Sequence, residues 1–177
     1  MRWTGTREAP AGGPVAASPP RAPVPAVEAT VAALVALGAS GEVRELPADL
    51  CGPAEVAAHL GVAPAALART TVLTTRDGRR LMVVSSRVHR LFPPALAAVL
   101  SEPELTLDDD VDVLHRTGAV LGSASPVGLA EPMPTFVDVA LALHPVVWVP
   151  AGHPHALFRT RYDELLRLTG GHPVEIG

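Results

Sequence analysis

Two β-rich runs around Asp77-Gly78 constrain the fold of this chain more than any other feature. The runs cover 69–76 and 79–86 and are rich in threonine, valine and leucine or methionine. Threonine and valine favour strands, and Asp-Gly accepts the positive φ of a tight turn. The pattern predicts an antiparallel β-hairpin.

Helices and further strands surround this hairpin. Apolar residues at helical spacing predict a helix over 26–37, and Pro53 and Gly61 bracket a second over 53–60. Further predictions are strands over 42–46, 104–107, 134–139, 146–149, 156–160 and 174–176, turns at 64–68 and 151–154, and helices over 93–100, 108–116 and 162–169. The elements mix without regular βαβ alternation. The expected class is therefore α/β or α+β, with one mixed, mostly antiparallel sheet flanked by helices.

Composition divides the chain into a tail and one domain. Residues 1–25 hold six prolines and predict a disordered tail, which leaves 26–177 as a single domain. Aromatic residues make up only 3% of the chain, so base-stacking surfaces are not expected. The net charge of −4 argues against a DNA-binding surface and leaves a weak or partner-assisted RNA contact open.

The sequence also contains signals that bear on where in the cell the protein lies. Its most apolar stretch, 136–149, is broken by Asp138, His144 and Pro145, so no membrane span is expected. No secretory signal is visible, and the single cysteine, Cys51, cannot form an internal disulfide. A cytoplasmic location is therefore expected, without a membrane partner.

The segment Thr117–Gly128 is the main candidate for a functional loop. It holds three glycines, two serines and Pro126, with almost no charge. Glycine permits positive φ and close approach, while proline fixes φ, so such a loop can hold amides and carbonyls around a ligand. An ordinary surface turn explains the composition equally well.

Conventional catalytic and metal-binding patterns are weak. No P-loop or GxGxxG motif is present. Ser125 has no identifiable histidine base, and the three aspartates 108–110 are expected to cap a helix rather than bind metal. His153 and His155 share a strand face and would need a third ligand, so neither a metal nor another cofactor is expected.

Several further motifs follow one another along the chain. The set begins with Ala57–Val62 and Pro64–Leu73. The segment Thr117-Gly118 through Gly122-x-x-x-Pro126-x-Gly128 and Pro134-Thr135-x-x-Asp138 follow, and Val149-x-x-Gly152 with Asp163–Leu166 end it. This ordered set resembles the YbaK/EbsC family of aminoacyl-tRNA deacylases, relatives of the editing insertion domain of bacterial prolyl-tRNA synthetase. The resemblance covers roughly 26–176.

The resemblance implies the fold of that editing domain and hydrolysis of the ester of mischarged aminoacyl-tRNA carrying a small amino acid such as alanine, cysteine or serine. Water or a group of the substrate would attack, without a protein nucleophile. The implied catalytic residues are Arg69, Gly122, Ser123, Ala124, Ser125 and Pro126, and the implied substrate-binding residues are Thr70, Thr117, Gly118, Gly128, Asp138, Gly152 and His153. The implied partners are the acceptor end of aminoacyl-tRNA and a synthetase or elongation factor that presents it.

Two positions depart from the family pattern. Arg69 stands where the family usually has a lysine, and Ser123 stands where some relatives have glycine. Arginine keeps the charge but cannot deprotonate at neutral pH. A catalytically weak or inactive protein that binds aminoacyl-tRNA or a related small ligand is therefore an alternative, and a metal-dependent hydrolase using His153 and His155 is another.

Simpler structural roles also remain open for three of these residues. Arg69 can be a strand-end charge paired with a carboxylate, His153 a solvated turn residue, and Asp138 a buried or capping carboxylate.

Overall fold

The computed structural model describes residues 25–50 and 52–176, so the predicted tail lies outside the described residues except for Pro25, and Cys51 lies outside them entirely. The described helices are α1 (Pro25–Ala36), α2 (Pro53–Leu60), α3 (Pro93–Leu100), α4 (Asp110–Thr117) and α5 (Tyr162–Thr169). The strands are β1 (Val43–Glu45), β2 (Ala68–Thr75), β3 (Arg80–Ser86), β4 (Leu105–Leu107), β5 (Thr135–Asp138), β6 (Val147–His153), β7 (Ala156–Thr160) and β8 (His172–Val174). Short 3₁₀ helices cover Pro64–Ala66 and Val139–Leu143.

The strands form two sheets with mixed pairing. A five-stranded sheet has the order β4-β2-β3-β5-β8 and contains the predicted hairpin, in which Thr70 lies opposite Val84. The β3–β5 and β5–β8 pairs are parallel, and the other pairs of this sheet are antiparallel. A three-stranded antiparallel sheet, β1-β7-β6, meets the first sheet at a bridge between Leu67 and Trp148. The predicted mixed α/β class is confirmed, with two sheets in place of one.

Local signals set the helix ends. Pro53 begins α2 and Pro93 begins α3, where a missing amide hydrogen has no cost. The Asp109 carboxylate accepts hydrogen bonds from the amides of Val111 and Asp112 and so caps α4. Asp108 is not part of this cap as predicted; it is buried and bonded to Thr74 and Arg80.

Three other segments differ from the sequence prediction. Strand β6 continues through the predicted turn to His153, with an irregular register after Pro150. The last strand ends at Val174, where it had been expected to begin. The 3₁₀ helix Val139–Leu143 was not predicted, and it begins where the Asp138 carboxylate accepts from the Ala140 amide.

The main core is aliphatic, as the low aromatic content requires. Leu34 of α1 and Leu165 of α5 pack with Val84, Val149 and Phe158 of the two sheets. Helix α1 also packs directly against the end of the segment Thr117–Gly128. A Cβ placed on Gly128 would be 2.6 Å from the carbonyl oxygen of Ala29 in α1. None of the helices in the described part of the chain has the length and apolar character needed to cross a bilayer.

Candidate active site

The segment Thr117–Gly128 adopts the backbone shape that its glycines suggest. The Ser123 amide donates to the carbonyl of Val120 at 3.0 Å, which closes a turn with Gly122 at φ 77°. Gly118 ends α4, and Gly128 has φ 72° where the loop passes α1. Positive φ at Gly122 and Gly128 strongly favours glycine. The glycines therefore stand where the loop backbone needs positive φ.

Two long-range hydrogen bonds hold the centre of this loop in place. The Thr70 hydroxyl donates to the Ala124 carbonyl at 2.8 Å, and the Gly152 amide donates to the Ser123 carbonyl at 2.9 Å. Residues 123–127, including Pro126, are buried. The loop is thus attached to β2 on one side and β6 on the other, and two of its carbonyls already accept protein hydrogen bonds.

Two hydroxyls of the loop are bonded to the backbone, whereas two of its amides have no acceptor among the described residues. The Ser125 hydroxyl accepts from the Val127 amide at 3.3 Å, and the Thr117 hydroxyl donates to the Val113 carbonyl at 2.7 Å. Within residues 25–50 and 52–176, the amides of Ala124 and Ser125 have no protein acceptor. Since unpaired amides in buried segments are rare, these two donors are candidates for contact with a ligand.

Arg69 lies beside the loop because it directly precedes Thr70 on β2. One guanidinium nitrogen donates to the His89 carbonyl at 3.0 Å. The Arg69 Nε is buried and has no hydrogen-bond partner among the described residues. No carboxylate of the described residues lies within ion-pair distance of Arg69, so the strand-end ion pair considered from the sequence is not formed there.

Arg69, Thr70 and Gly122 line one cleft of about 620 Å³. Its volume is typical of small-ligand sites. The lining residues are Pro53, Arg69, Thr70, Thr71, Arg87, Arg90, Leu91, Leu107, Asp108, Leu121 and Gly122. Thr70 of the hairpin and Gly122 of the loop, which are 52 residues apart in sequence, thus line the same cleft.

Arg87 and Arg90 were not predicted as site residues. Both are exposed and follow the end of β3. Partial burial and the nearby charge of Arg69 lower the pKa of Arg87. The only sequence signal was a pair of arginines directly after a strand in a chain of net charge −4. Their proximity to Arg69 depends on the turn that follows β3.

Asp138 lies behind this turn and does not line the cleft. Its carboxylate accepts from the amides of Ser86 at 3.1 Å and Ala140 at 3.0 Å, and it is 1% exposed. Its Oδ2 also lies 2.8 Å from Nδ1 of His89, whose carbonyl holds Arg69. Asp138 is therefore a buried capping carboxylate that contacts the turn beside the cleft through Ser86 and His89.

The other predicted site residues lie at the margins of the loop. Thr117, Gly118 and Gly128 are at its ends and do not line the cleft. The predicted catalytic residues Ser123, Ala124, Ser125 and Pro126 are buried and do not line it either, so Gly122 is the predicted loop residue that does. His153 is half-buried next to Gly152, and its Nδ1 accepts from the His155 amide at 3.1 Å. In the part of the chain that the structure describes, no group of three or more His, Cys, Asp or Glu side chains is placed to hold a metal ion.

Known proteins share both this sequence pattern and this fold. A crystal structure of a candidate trans-editing enzyme for prolyl tRNA synthetase has a TM-score of 0.80 and 29% identity, over 88% of this chain and 98% of that chain. A scaffold protein used for computational epitope grafting has a TM-score of 0.78 and 29% identity, over 86% of this chain and 97% of that chain.

A curated relative is the proline–tRNA ligase of Pelobacter propionicus, which is 29% identical over 93 residues. The match covers 52% of this chain and only 16% of the ligase, so this chain corresponds to a small part of that protein.

The family model described as "Aminoacyl-tRNA editing domain" matches residues 49–168, roughly two thirds of the chain. This range includes the hairpin, the turn after β3 and the whole segment Thr117–Gly128. The resemblance predicted from the sequence is thereby confirmed. The chain belongs to the aminoacyl-tRNA editing domain family, a family of deacylating hydrolases.

Proposed function

We propose that this protein hydrolyses the ester of mischarged aminoacyl-tRNA carrying a small amino acid such as alanine, cysteine or serine, and that it does so in the cytoplasm. The observation that carries the proposal is the hydrogen bond from Thr70 to the Ala124 carbonyl. This bond holds the loop beside β2, and Gly122 of the loop lines the same cleft as Arg69. A charged nucleic-acid end and an ester are proposed to be bound together there.

The loop backbone supplies the polar groups for the reaction. Water attacks the ester carbonyl carbon, and the carbonyl oxygen becomes negatively charged in the tetrahedral intermediate. The amides of Ala124 and Ser125 are proposed to donate to that oxygen, and one well-placed donor contributes about 3 kcal/mol to transition-state stabilisation. The bond to the ribose oxygen then breaks, the ribose oxygen takes the proton that the attacking water loses, and a free amino acid and an intact tRNA are released.

No serine hydroxyl has a role as nucleophile in this proposal. The Ser125 hydroxyl is buried and accepts from a backbone amide, and no histidine within residues 25–50 and 52–176 is hydrogen-bonded to it. A nucleophilic serine needs such a base within hydrogen-bond distance. These contacts fit attack by a water molecule better than attack by a serine hydroxyl.

Arg69 acts in this proposal as a permanent positive charge. Its guanidinium does not lose a proton at neutral pH, so it cannot be a general base. The substrate also carries an α-ammonium group, which a guanidinium would repel. Arg69 is therefore better suited to contact the ribose or a phosphate than the amino acid itself.

Small substrates are favoured by the construction of the loop. Ser123, Ala124 and Ser125 have small side chains, yet the segment is buried and held by bonds from Thr70 and Gly152. A wall that cannot move excludes a larger amino acid by overlap. Ser123 stands where some relatives have glycine, and its side chain is proposed to narrow the substrate pocket further. His153, next to Gly152, is proposed to contribute to substrate binding at the same edge.

The substrate is proposed to be presented by an aminoacyl-tRNA synthetase. The chain has a net charge of −4, so it lacks the extended basic surface that would hold a whole tRNA tightly. Contact limited to the acceptor end needs only the few cations of the cleft.

Release of amino acid from tRNAs charged with alanine, cysteine, serine and proline tests the proposal. We expect release of the amino acid from at least one of the first three tRNAs, with no effect of a chelator. Arg69→Ala should lower the rate of release about a hundredfold, and Arg69→Lys should recover part of that rate. Arg76→Ala is the matched control, because Arg76 is exposed at the opposite end of β2. Binding of charged tRNA without release would favour the inactive binding protein, and release abolished by a chelator would favour the metal-dependent alternative.

A further inference from the structure

Arg69, Arg87 and Arg90 form a cluster of cations in the cleft, here called the arginine wall. Arg87 and Arg90 belong to the turn after β3, and Arg69 reaches the same turn through its bond to the His89 carbonyl. All three line the cleft. They are side chains of one small region, although Arg69 is separated from Arg87 by a whole hairpin in the sequence.

The turn that carries these arginines is fixed by the protein itself. The Arg87 amide donates to the Leu67 carbonyl at 2.8 Å, and the His89 amide donates to the Ser86 carbonyl at 3.1 Å. The buried carboxylate of Asp138 lies 2.8 Å from the His89 ring and also accepts from the Ser86 amide. The backbone is thus set before any ligand binds, and only the arginine side chains need to be ordered.

The charge of the arginine wall is not neutralised within the described residues. None of its three members has a carboxylate within ion-pair distance there. The one carboxylate lining the cleft, Asp108, is bonded to Thr74 and paired with Arg80. Arg69 also keeps a buried, unpartnered Nε donor. Like charges without counter-charges favour binding of an anion, which would relieve their repulsion.

The substrate class named above limits what this anion can be. In an aminoacyl ester the carboxyl group of the amino acid is esterified and uncharged, and the α-amino group is a cation. The only anions near the reacting ester are the phosphodiesters of the tRNA 3′ end. Guanidinium groups suit phosphate because their paired N–H donors match its oxygens.

We propose that Arg87 and Arg90, together with Arg69, bind the phosphodiester that joins the terminal nucleotide to the rest of the tRNA. This inference rests on the proposed function for its choice of substrate. It assigns binding to the arginine wall and ester hydrolysis to the loop. Arg87 and Arg90 therefore contribute to KM and to the salt dependence of KM, while kcat is set by the loop.

The first test is steady-state hydrolysis of the charged tRNA by Arg87→Ala, Arg90→Ala and the double variant. Each single change is expected to raise KM about tenfold with kcat changed less than twofold, because a charged hydrogen bond to phosphate is lost. The slope of log KM against log salt should fall by about 1 in the double variant. Arg87→Lys should recover part of the loss, and Arg76→Ala should match wild type. An unchanged KM and salt slope in the double variant would overturn the inference.

A second test separates this inference from the proposed function. Binding of uncharged 5′-labelled tRNA is measured by fluorescence anisotropy, so no ester is needed. Weaker binding by the double variant supports the phosphodiester site even if no charged tRNA is hydrolysed. Equal binding by wild type and the double variant overturns it even if hydrolysis is observed. Displacement of the tRNA by inorganic phosphate at equal concentration would also overturn it, because the site would then be one for free phosphate.

Discussion

The two walls of the cleft are built in opposite ways. The loop wall, residues 122–127, lines the cleft through Gly122; it is uncharged, largely buried and attached to the protein by hydrogen bonds through its own backbone. The arginine wall carries three positive charges, and two of its members are exposed. One wall offers fixed dipoles and the other offers charge on movable side chains.

This difference indicates a division of labour. Fixed backbone dipoles stabilise a developing charge without reorganising, which suits the chemical step. Flexible cations attract and hold an anionic chain end, which suits binding. Changes in the loop wall should therefore affect folding stability and kcat, whereas changes in the arginine wall should affect KM alone.

The largest effect is expected from Gly128→Ala. A Cβ at this position would lie 2.6 Å from the Ala29 carbonyl oxygen, and the residue has φ 72°. Strain and overlap together should lower the free energy of unfolding by about 3 kcal/mol and displace the loop. Urea denaturation measures this change. Gly78→Ala is the control, since Gly78 has φ 84° with open space around it and should cost only about 1 kcal/mol. Equal costs for the two variants would show that α1 does not press on the loop.

Thr70→Val should have the next largest effect. It leaves the Ala124 carbonyl in a buried loop without its hydroxyl donor. The expected loss is about 2 kcal/mol in the free energy of unfolding and at least tenfold in kcat. Thr70→Ser keeps the hydroxyl and should retain most of both. If kcat is unchanged in Thr70→Val, the loop does not depend on its attachment to β2.

Asp138→Asn tests the support behind the arginine wall. The amide can keep one of the two backbone bonds but loses the charge beside His89. We expect a loss of about 1–2 kcal/mol in the free energy of unfolding and a rise in KM, because the turn that holds Arg69 is loosened. Asp109→Asn is a suitable control, since asparagine caps a helix about as well as aspartate. A lower kcat with unchanged KM would place Asp138 in the chemistry instead.

Arg87→Ala should have the smallest effect on stability. The side chain is exposed and has no ion pair in the described part of the chain, and its removal takes a positive charge away from Arg69. The free energy of unfolding should change by less than about 0.5 kcal/mol. Thermal unfolding of Arg87→Ala and of Gly128→Ala, measured in parallel, compares the contributions of the two walls to stability. A loss comparable to that of Thr70→Val would mean that the arginine wall is structural.

Much of the fold follows from local signals in the sequence. The hairpin depends on Asp77-Gly78, and α2 depends on Pro53 and Gly61, so these elements are determined by residues within or beside them. The 3₁₀ helix after Asp138 and the extension of β6 to His153 were missed. The 3₁₀ helix begins at a short-range cap, in which the Ala140 amide donates to Asp138. The end of β6 pairs with Ala156 and is bonded through Gly152 to Ser123, a long-range contact that local turn preferences do not reveal.

The site was predictable only in part. Arg69, Thr70 and Gly122 were named from motifs and do meet in the cleft. The roles of Ser123 and Ala124 as attachment points could not be predicted, because their bonds come from Gly152 and Thr70. Arg87 and Arg90 were missed because their charge matters only once the turn after β3 brings them to Arg69.

The most direct test of a backbone-driven hydrolysis is the rate of ester cleavage by Ser125→Ala. This change removes a buried hydroxyl but leaves the loop amides in the chain. Single-turnover hydrolysis of alanyl-, cysteinyl- and seryl-tRNA should stay within about tenfold of wild type on whichever of them the wild type cleaves, since water is the nucleophile. A loss of about a thousandfold or more, with the protein still folded, would contradict the account and identify Ser125 as the nucleophile.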